Sequence, residues 1–359
     1  MNPCYLPNAS TVAELLNDYG DQLERVKYFD KKVGNQIQRL LGETYVLKDV
    51  LQAFEDFSNA LSPLINPNIE FGDGQVRAKD MSNKFDIYDK YFEVNRVENM
   101  TKGQFIQQYL DTSAELIQEL QHTSMSRGEV AYILKGWEAA NEILIGNKEG
   151  IANFQIKGEK DIDIEYDNEK RALYRWKLAH HGFAIFMIFS GHCFNKIIAD
   201  LEKGEVTETT AIWMDRGAHL FRATTACMEF GNSFTAQVYK SVVRPDMSKA
   251  NEEANLPNGF SGTQNFEYIV WRKAKVALFK LLKASYDEFP EYFKEKVELF
   301  RAFYLEDMHI HSIIAGRMVG VEKSLLQEGF ARKKAITAGD MLRMMAGVRE
   351  KEVSFILGK

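Results

Sequence analysis

Apolar residues return every three or four positions along most of this chain, the spacing of one buried helix face. In residues 10–62, Val12, Leu15 and Leu16, then Leu23, Val26 and Phe29, follow that rhythm. Ser10 or Thr11 can cap the first helix, and Glu14, three positions past Thr11, completes a capping box. Residues 61–90 carry Pro63, Pro67, Gly72 and Gly74 and are the least helical stretch. Helical spacing resumes over 101–121 and 127–145, the second with Val130, Ile133, Leu134 and Trp137 on one face. Residues 154–166 (FQIKGEKDIDIEY) alternate apolar and polar side chains around Gly158, which predicts a small β-hairpin.

From Arg171 the pattern predicts helices to about Leu201, from about Thr207 into Val243, from about Thr263 to Ser285, from about Pro290 to Glu328, and after Gly339. Residues 244–264 show neither rhythm and read as a long loop of the kind that is functional or mobile. The expected fold is mainly α, a large helical bundle with a small β-hairpin insertion. Residues 1–150 form an N-terminal helical region and residues 151–359 a second helical domain, packed as one continuous unit.

Composition narrows the function. The 359 residues hold 45 Lys and Arg against 51 Asp and Glu. That acidic balance lacks the basic face a nucleic-acid partner requires. The apolar run 182–191 is about half of the roughly 20 residues a bilayer span needs, so no membrane partner is expected. The start of the chain has neither the basic nor the apolar region of a signal peptide. Cys4, Cys193 and Cys227 are spaced as reduced thiols rather than a disulfide or zinc framework, and a cytoplasmic location is expected. With 24 Phe and 15 Tyr there is enough aromatic surface to line a pocket as well as fill a core.

His311 has the most telling setting of the histidines. On a helix it shares a face with Tyr304, Met308, Ile314, Ala315 and Met318, broken only by Asp307. Small Ala315 and Gly316 lie beyond it and leave room for a large flat group. A satisfied core histidine and a cofactor ligand both fit that description. The string from His311 through Arg317 to Gly320 resembles the proximal-ligand helix of the tryptophan 2,3-dioxygenase and indoleamine 2,3-dioxygenase haem superfamily. Ser261-Gly262-Thr263-Gln264 is similar to the small-residue segment that approaches haem and substrate there. Tyr239 with Arg244 five positions on looks like the segment that flanks the substrate. Residues 182–187, with Phe183 and Met187, resemble the helix closing the oxygen side.

These motifs keep the family's order over roughly residues 182–320, and the reduced Ile336–Gly339 loop is closest to the monodechloroaminopyrrolnitrin synthase-like branch. The resemblance implies a haem pocket enclosed by the bundle, and haem b with His311 as the axial iron ligand. Arg317 and Ala315 would border the cofactor. Phe183, Met187, Tyr239, Arg244, Ser261, Gly262 and Thr263 would border an indole or other aromatic amino-acid-derived substrate. Arg244 would hold the substrate carboxylate, a task suited to a bidentate guanidinium. The implied activity is a dioxygenase-like oxidoreductase using dioxygen, or alternatively peroxide, in a chain that can form a homo-oligomer. No acid–base catalytic residue is assigned.

Two other readings remain open on the sequence. Glu119/His122 and Glu306/His309 are Glu-x-x-His pairs, the ligand spacing of di-iron carboxylate bundles. A haem-binding protein without turnover is the other.

Overall fold

The structure is a computed structural model that describes residues 2–8, 16, 83–120, 122–144, 169–253, 264–320 and 337–357. The helices predicted over 10–62 and the hairpin predicted over 154–166 lie outside the described residues. Among these residues the chain is helical apart from one pair of short strands, β1 (Cys4–Pro7) and β2 (Val94–Val97), paired in parallel with Cys4 opposite Val94. The helices are α1 (Asn83–Tyr91), α2 (Lys102–Leu120), α3 (Arg127–Leu144), α4 (Glu169–Glu202), α5 (Glu208–Gly231), α6 (Ala236–Val238), α7 (Arg244–Glu253), α8 (Phe266–Ser285), α9 (Glu291–Met318) and α10 (Ala338–Val353).

Side-chain caps set the starts of these helices. Ser126 and Glu129 exchange hydrogen bonds with each other's backbone N–H before α3, and Thr207 and Thr210 do so before α5. Asn265 accepts from Tyr268 N at 2.7 Å to open α8, and Thr337 from Asp340 N at 3.1 Å to open α10. Helix α9 stops at Met318, ten residues before the predicted end. Gly320 takes the left-handed conformation at φ 90° and donates to the Ala315 and Gly316 carbonyls, closing the last turn. The predicted run from Thr207 to Val243 breaks after Gly231. There Asn232 Nδ2 and Ser233 Oγ bond to the carbonyls of Met228 and Phe230, and Thr235 caps a new helix.

Residues 244–253, expected to be loop, are helical. Helical structure is continuous from Ala236 through a π turn into α7, so the missing N–H of Pro245 falls inside the run rather than at a free helix end. Just before α7, Tyr239–Val243 form that π turn, with Arg244 N–H donating to the Tyr239 carbonyl. A proline cannot donate to the carbonyl four residues back, and a widened turn is one way for the chain to absorb that loss.

At the centre α5 is wrapped by three helices. It runs antiparallel to α4, with Ser190 Oγ donating to the Gly217 carbonyl at 3.1 Å, and antiparallel to α3. It runs parallel to α9. The crossing with α3 is so close that a Cβ on Gly136 would lie 2.2 Å from Ala223 Cβ. On the far side of α4, Trp271 of α8 donates Nε1–H to the same Ser190 oxygen at 3.0 Å. Helix α4 is long and apolar enough to cross a bilayer, but most of its apolar stretch is buried inside the bundle.

A buried ion triad fastens the strand pair to the helices. Arg96 on β2 pairs with both Asp89 carboxylate oxygens at 2.8 Å and with Glu267 in the first turn of α8. All three are buried, and the opposing charges hold Asp89 and Arg96 together against the cost of leaving water. Truncating Arg96 to Ala strands two buried carboxylates and is expected to cost about 3–5 kcal/mol in urea unfolding. Replacing all three by apolar residues of similar volume should recover most of that loss. If R96A and the triple variant lose equal stability, the charges are not what is being measured.

Candidate functional site

The apolar stripe of α9 consists of Phe293, Val297, Phe300, Tyr304 and Met318, all buried, and His311 sits in the same line. Unlike them His311 is only partly covered. Burial lowers its pKa, the Asp307 charge works in the opposite sense, and Arg349 adds to the lowering. The imidazole is therefore neutral at pH 7, and no described residue hydrogen-bonds either ring nitrogen. A neutral nitrogen lone pair on a partly open apolar face fits an axial ligand of a large flat cofactor.

Both flanks of His311 are held by polar pairs. On one side Thr225 of α5 donates to Asp307 Oδ1 at 2.7 Å, and Arg222 pairs with Glu306 at 3.0 Å. On the other, Arg349 of α10 donates to Asp307 Oδ2 at 2.5 Å and to the Tyr304 carbonyl at 2.8 Å. Its guanidinium lies 4.4 Å from the Tyr304 ring centre. Glu352 of α10 accepts from Lys275 at 2.7 Å and from the Tyr304 phenol. Asp307 thus bridges α5 and α10 one turn before His311. Asp307 was visible in the sequence as a polar break in the stripe, but its partners come from distant segments and left no local signal.

Aromatic rings connect this face to α4. Phe221 stacks on Trp271 at 5.0 Å, Trp271 on Tyr268 at 6.0 Å, and Phe183 lies 6.5 Å from Tyr268. Met187 is buried in the same apolar cluster as Phe300 and Tyr304. Phe183 and Met187 are thereby brought into the cluster that carries the lower half of the His311 stripe. Tyr239 and Arg244 stand at the two ends of the π turn. Five positions along an α-helix separate two side chains by about 140°, whereas the i to i+5 bond of the π turn stacks them on one face. Burial raises the Tyr239 pKa and the Arg244 charge opposes that rise, so the two groups sense each other. Tyr91 lies near both Tyr239 and Asp246 of α7, and no described hydrogen bond or ion pair ties Tyr239 or Arg244 to His311.

Several expectations are corrected. Ala315 does not leave a space, because α10 fills it: Ala315 and Met308 pack against Leu342 and Ala346. Arg317 donates to the Asn232 carbonyl at 2.6 Å and so braces the end of α5. Ser261, Gly262 and Thr263 lie outside the described residues. The Glu-x-x-His pairs do not form a di-iron site. Glu119 faces Arg171 and Arg175 at 3.6 Å, Glu306 is paired with Arg222, and His309 is exposed. Among the described residues no three His, Cys, Asp or Glu side chains converge as metal ligands. The three cysteines are buried and free, with burial raising each thiol pKa, that of Cys193 to about 12.

Three other histidines make packing and hydrogen-bond contacts within the bundle. His180 stacks on Phe92 at 3.8 Å, and its Nδ1 meets the Trp176 carbonyl at 2.7 Å. His181 Nε2 donates to the Phe92 carbonyl at 2.5 Å, and His192 sits edge-on to Trp213.

A model of the SfmD 3-methyl-L-tyrosine peroxygenase family matches residues 32–292 of the chain. Among solved structures, a crystal structure of reduced SfmD, soaked with sodium hydrosulfite, is similar at a TM-score of 0.59 and 14% identity. The likeness covers 87% of this chain and 96% of that one. Among curated protein sequences none matches.

Burial holds the pKa of His180 down to about 3 and those of His192 and His219 to about 4. Each stays neutral in the fold while its unfolded counterpart takes a proton below about pH 6.5. Unfolding therefore binds protons, and stability should fall steadily from pH 6.5 towards pH 4, by on the order of 2–3 kcal/mol for each fully buried histidine. His192→Phe should flatten that acid limb in urea midpoints taken across the range. An unchanged slope would show that His192 protonates without opening the fold.

Proposed function

Because this chain belongs to the SfmD 3-methyl-L-tyrosine peroxygenase family, we propose that it hydroxylates a phenolic aromatic amino acid, with peroxide as the oxygen donor. Family membership makes the chain a haem-dependent oxygenase, in keeping with the superfamily its motifs resemble. The finer reading is a tyrosine-type substrate rather than an indole, and it rests on the activity for which the family is named. A cytoplasmic setting is part of the proposal.

The observation that carries the cofactor assignment is His311: neutral, without a hydrogen-bond partner among the described residues, and partly open at the centre of a buried stripe. The proposed group is haem b, held without covalent attachment. The sequence contains no Cys-x-x-Cys-His motif, and the three cysteines are buried at positions 4, 193 and 227, far from His311 in sequence. Bound haem supplies the redox chemistry that makes peroxide an oxygen donor to an aromatic ring.

This chain's residues supply the rest. His311 holds the proximal side, and the Asp307 bridge to Thr225 and Arg349 fixes the helix that presents it. Phe183 and Met187 exclude water from the α4 side. Arg244 binds the substrate carboxylate and so orients the ring. Tyr239, kept as a neutral phenol by burial, can donate a hydrogen bond beside it.

The first test is the absorption spectrum of protein produced with haem precursor, recorded before and after reduction and carbon monoxide. Wild type and His309→Ala should both show a Soret band that shifts with each addition. His311→Ala should lose the band or show altered ligation, and the reverse pattern would overturn the assignment. Acid–acetone should extract the pigment from wild type; pigment retained on the protein would exclude haem b.

Arg244→Ala should raise KM for the amino acid by roughly 10- to 100-fold, the worth of a charged hydrogen-bonded contact. KM for the decarboxylated amine should change little. Equal losses on both would remove Arg244 from carboxylate binding.

A further inference from the structure

Helices α8 and α9 run antiparallel, and their side-chain contacts fix the register between them. Phe279 of α8 lies against Phe300 and Tyr304 of α9, with ring centres 5.9 and 5.8 Å apart. One turn nearer the start of α8, Lys275 donates to the Tyr304 hydroxyl at 2.8 Å. Tyr268 stands seven positions before Lys275, and His311 seven after Tyr304. Seven residues are close to two turns, so both side chains stay on the faces that meet at Lys275 and Tyr304, each about 10 Å further along its axis. The register therefore brings Tyr268 to the level of His311, on the side of α8 turned toward α9.

Arg349 of α10 supports this placement. Burial lowers its pKa, but Asp307, Tyr304 and Tyr268 nearby raise it on balance. The same guanidinium adds to the lowering that burial imposes on the His311 pKa. One side chain is thus within electrostatic reach of both residues.

The Tyr268 ring is firmly seated. It lies 6.0 Å from Trp271, nearly parallel to it, and 6.5 Å from Phe183 of α4. Its backbone N–H is held by Asn265 in the first turn of α8, and Trp271 is itself anchored by Ser190 and Phe221. Tyr268 is nonetheless only half-buried, and its hydroxyl bonds to none of the described residues. A ring fixed in this way, with its one polar atom uncommitted, is suited to donate a hydrogen bond to a bound ligand.

We propose that Tyr268 faces His311 across the haem and donates its phenolic hydrogen bond to the oxidant, or to any small anion, held on the open side. The proposal rests on the reading of His311 as the axial ligand and deepens it by naming the group on the opposite face. It also assigns the walls. Helix α9 supplies the proximal one, and the start of α8 with Phe183 supplies the distal one. A donor aimed there favours an anionic ligand over a neutral one, because hydrogen bonds to charged acceptors are the stronger kind.

The test uses the haem-loaded, full-length chain and its Tyr268→Phe variant, which keeps the ring and removes only the hydroxyl. Fluoride titration of the ferric protein, followed by absorption, reads the donor without turnover. Tyr268→Phe should bind fluoride roughly 10- to 100-fold more weakly, the worth of a hydrogen bond to a charged acceptor. Imidazole, a neutral ligand, should bind the two proteins within a few-fold of each other. In the ferrous carbon monoxide complex the C–O stretching frequency should rise in the variant, since a hydrogen bond to that oxygen weakens the C–O bond. Circular dichroism and the resting Soret band should match wild type. Equal fluoride affinity and C–O frequency in the two proteins would overturn the proposal. A resting ferric spectrum altered as by loss of an axial ligand would also overturn it, by making Tyr268 an iron ligand. So would faster haem loss with unchanged fluoride affinity, which would put the hydroxyl at the edge of the cofactor. A wild type without a Soret band would take down the haem reading and the proposal together. Where the band is present and lost in His311→Ala, the Tyr268 outcomes bear on the proposal alone.

Discussion

Helix α5 has almost no outward face, and the placement of its neighbours depends on that. A polar side chain on a fully enclosed helix must find its partner on an adjoining helix or bear the cost of burial unpaired. Several polar residues on α5 therefore act as register marks for what packs around them. Lys296 of α9 reaches Asp215 at 2.9 Å, Glu306 meets Arg222, and Asp307 meets Thr225, in ascending order along both helices. Glu142 of α3 faces Arg216, and the Arg222 guanidinium lies 3.8 Å from the Tyr132 ring centre. Hydrophobic burial supplies most of the driving force but little directional information, since apolar faces can slide past one another. The buried polar pairs supply the register, and with it the height of His311 in the bundle.

Local signals were legible wherever the physics is local. The predicted helices over 101–121 and 127–145 agree with the observed bounds to within a residue, because apolar spacing is a local signal, and reciprocal caps of Thr101 with Gln104 and of Ser126 with Glu129 fix their starts. The break after Gly231 was missed because Asn232 and Ser233 look unremarkable in a helical run until their side chains turn back on the preceding carbonyls. The strand pair left no signal, since four-residue strands nearly ninety positions apart have no common pattern to read. At the site, periodicity put His311 on the apolar face of a helix, and only the family resemblance made it a candidate cofactor ligand. Ala315 and Arg317 were not legible, because what surrounds them comes from α10 and from the end of α5.

The site joins two kinds of constraint. The His311 side is rigid by construction, with α9 clamped between α5 and α10 by Asp307 and Arg349. In the proposed reading a histidine held this way keeps its geometry without a hydrogen bond to its ring from any described residue, which leaves the imidazole neutral and available. Residues on the substrate side sit instead on short elements, among them a π turn and the helix that follows it. Such a division suits an oxygenase whose cofactor environment stays constant while specificity is set on the opposite wall.

The π turn at Tyr239–Val243 also constrains how this stretch can change over evolution. Its extra residue places Tyr239 and Arg244 on one face. Deleting one residue there would restore a regular helix and rotate everything that follows by about 100°. The guanidinium would then swing away from the phenol although no contact residue had been altered. Substitutions inside the turn are comparatively harmless, whereas changes of length are not. Related chains that keep this pair should therefore vary more readily in composition between Tyr239 and Arg244 than in the number of residues there.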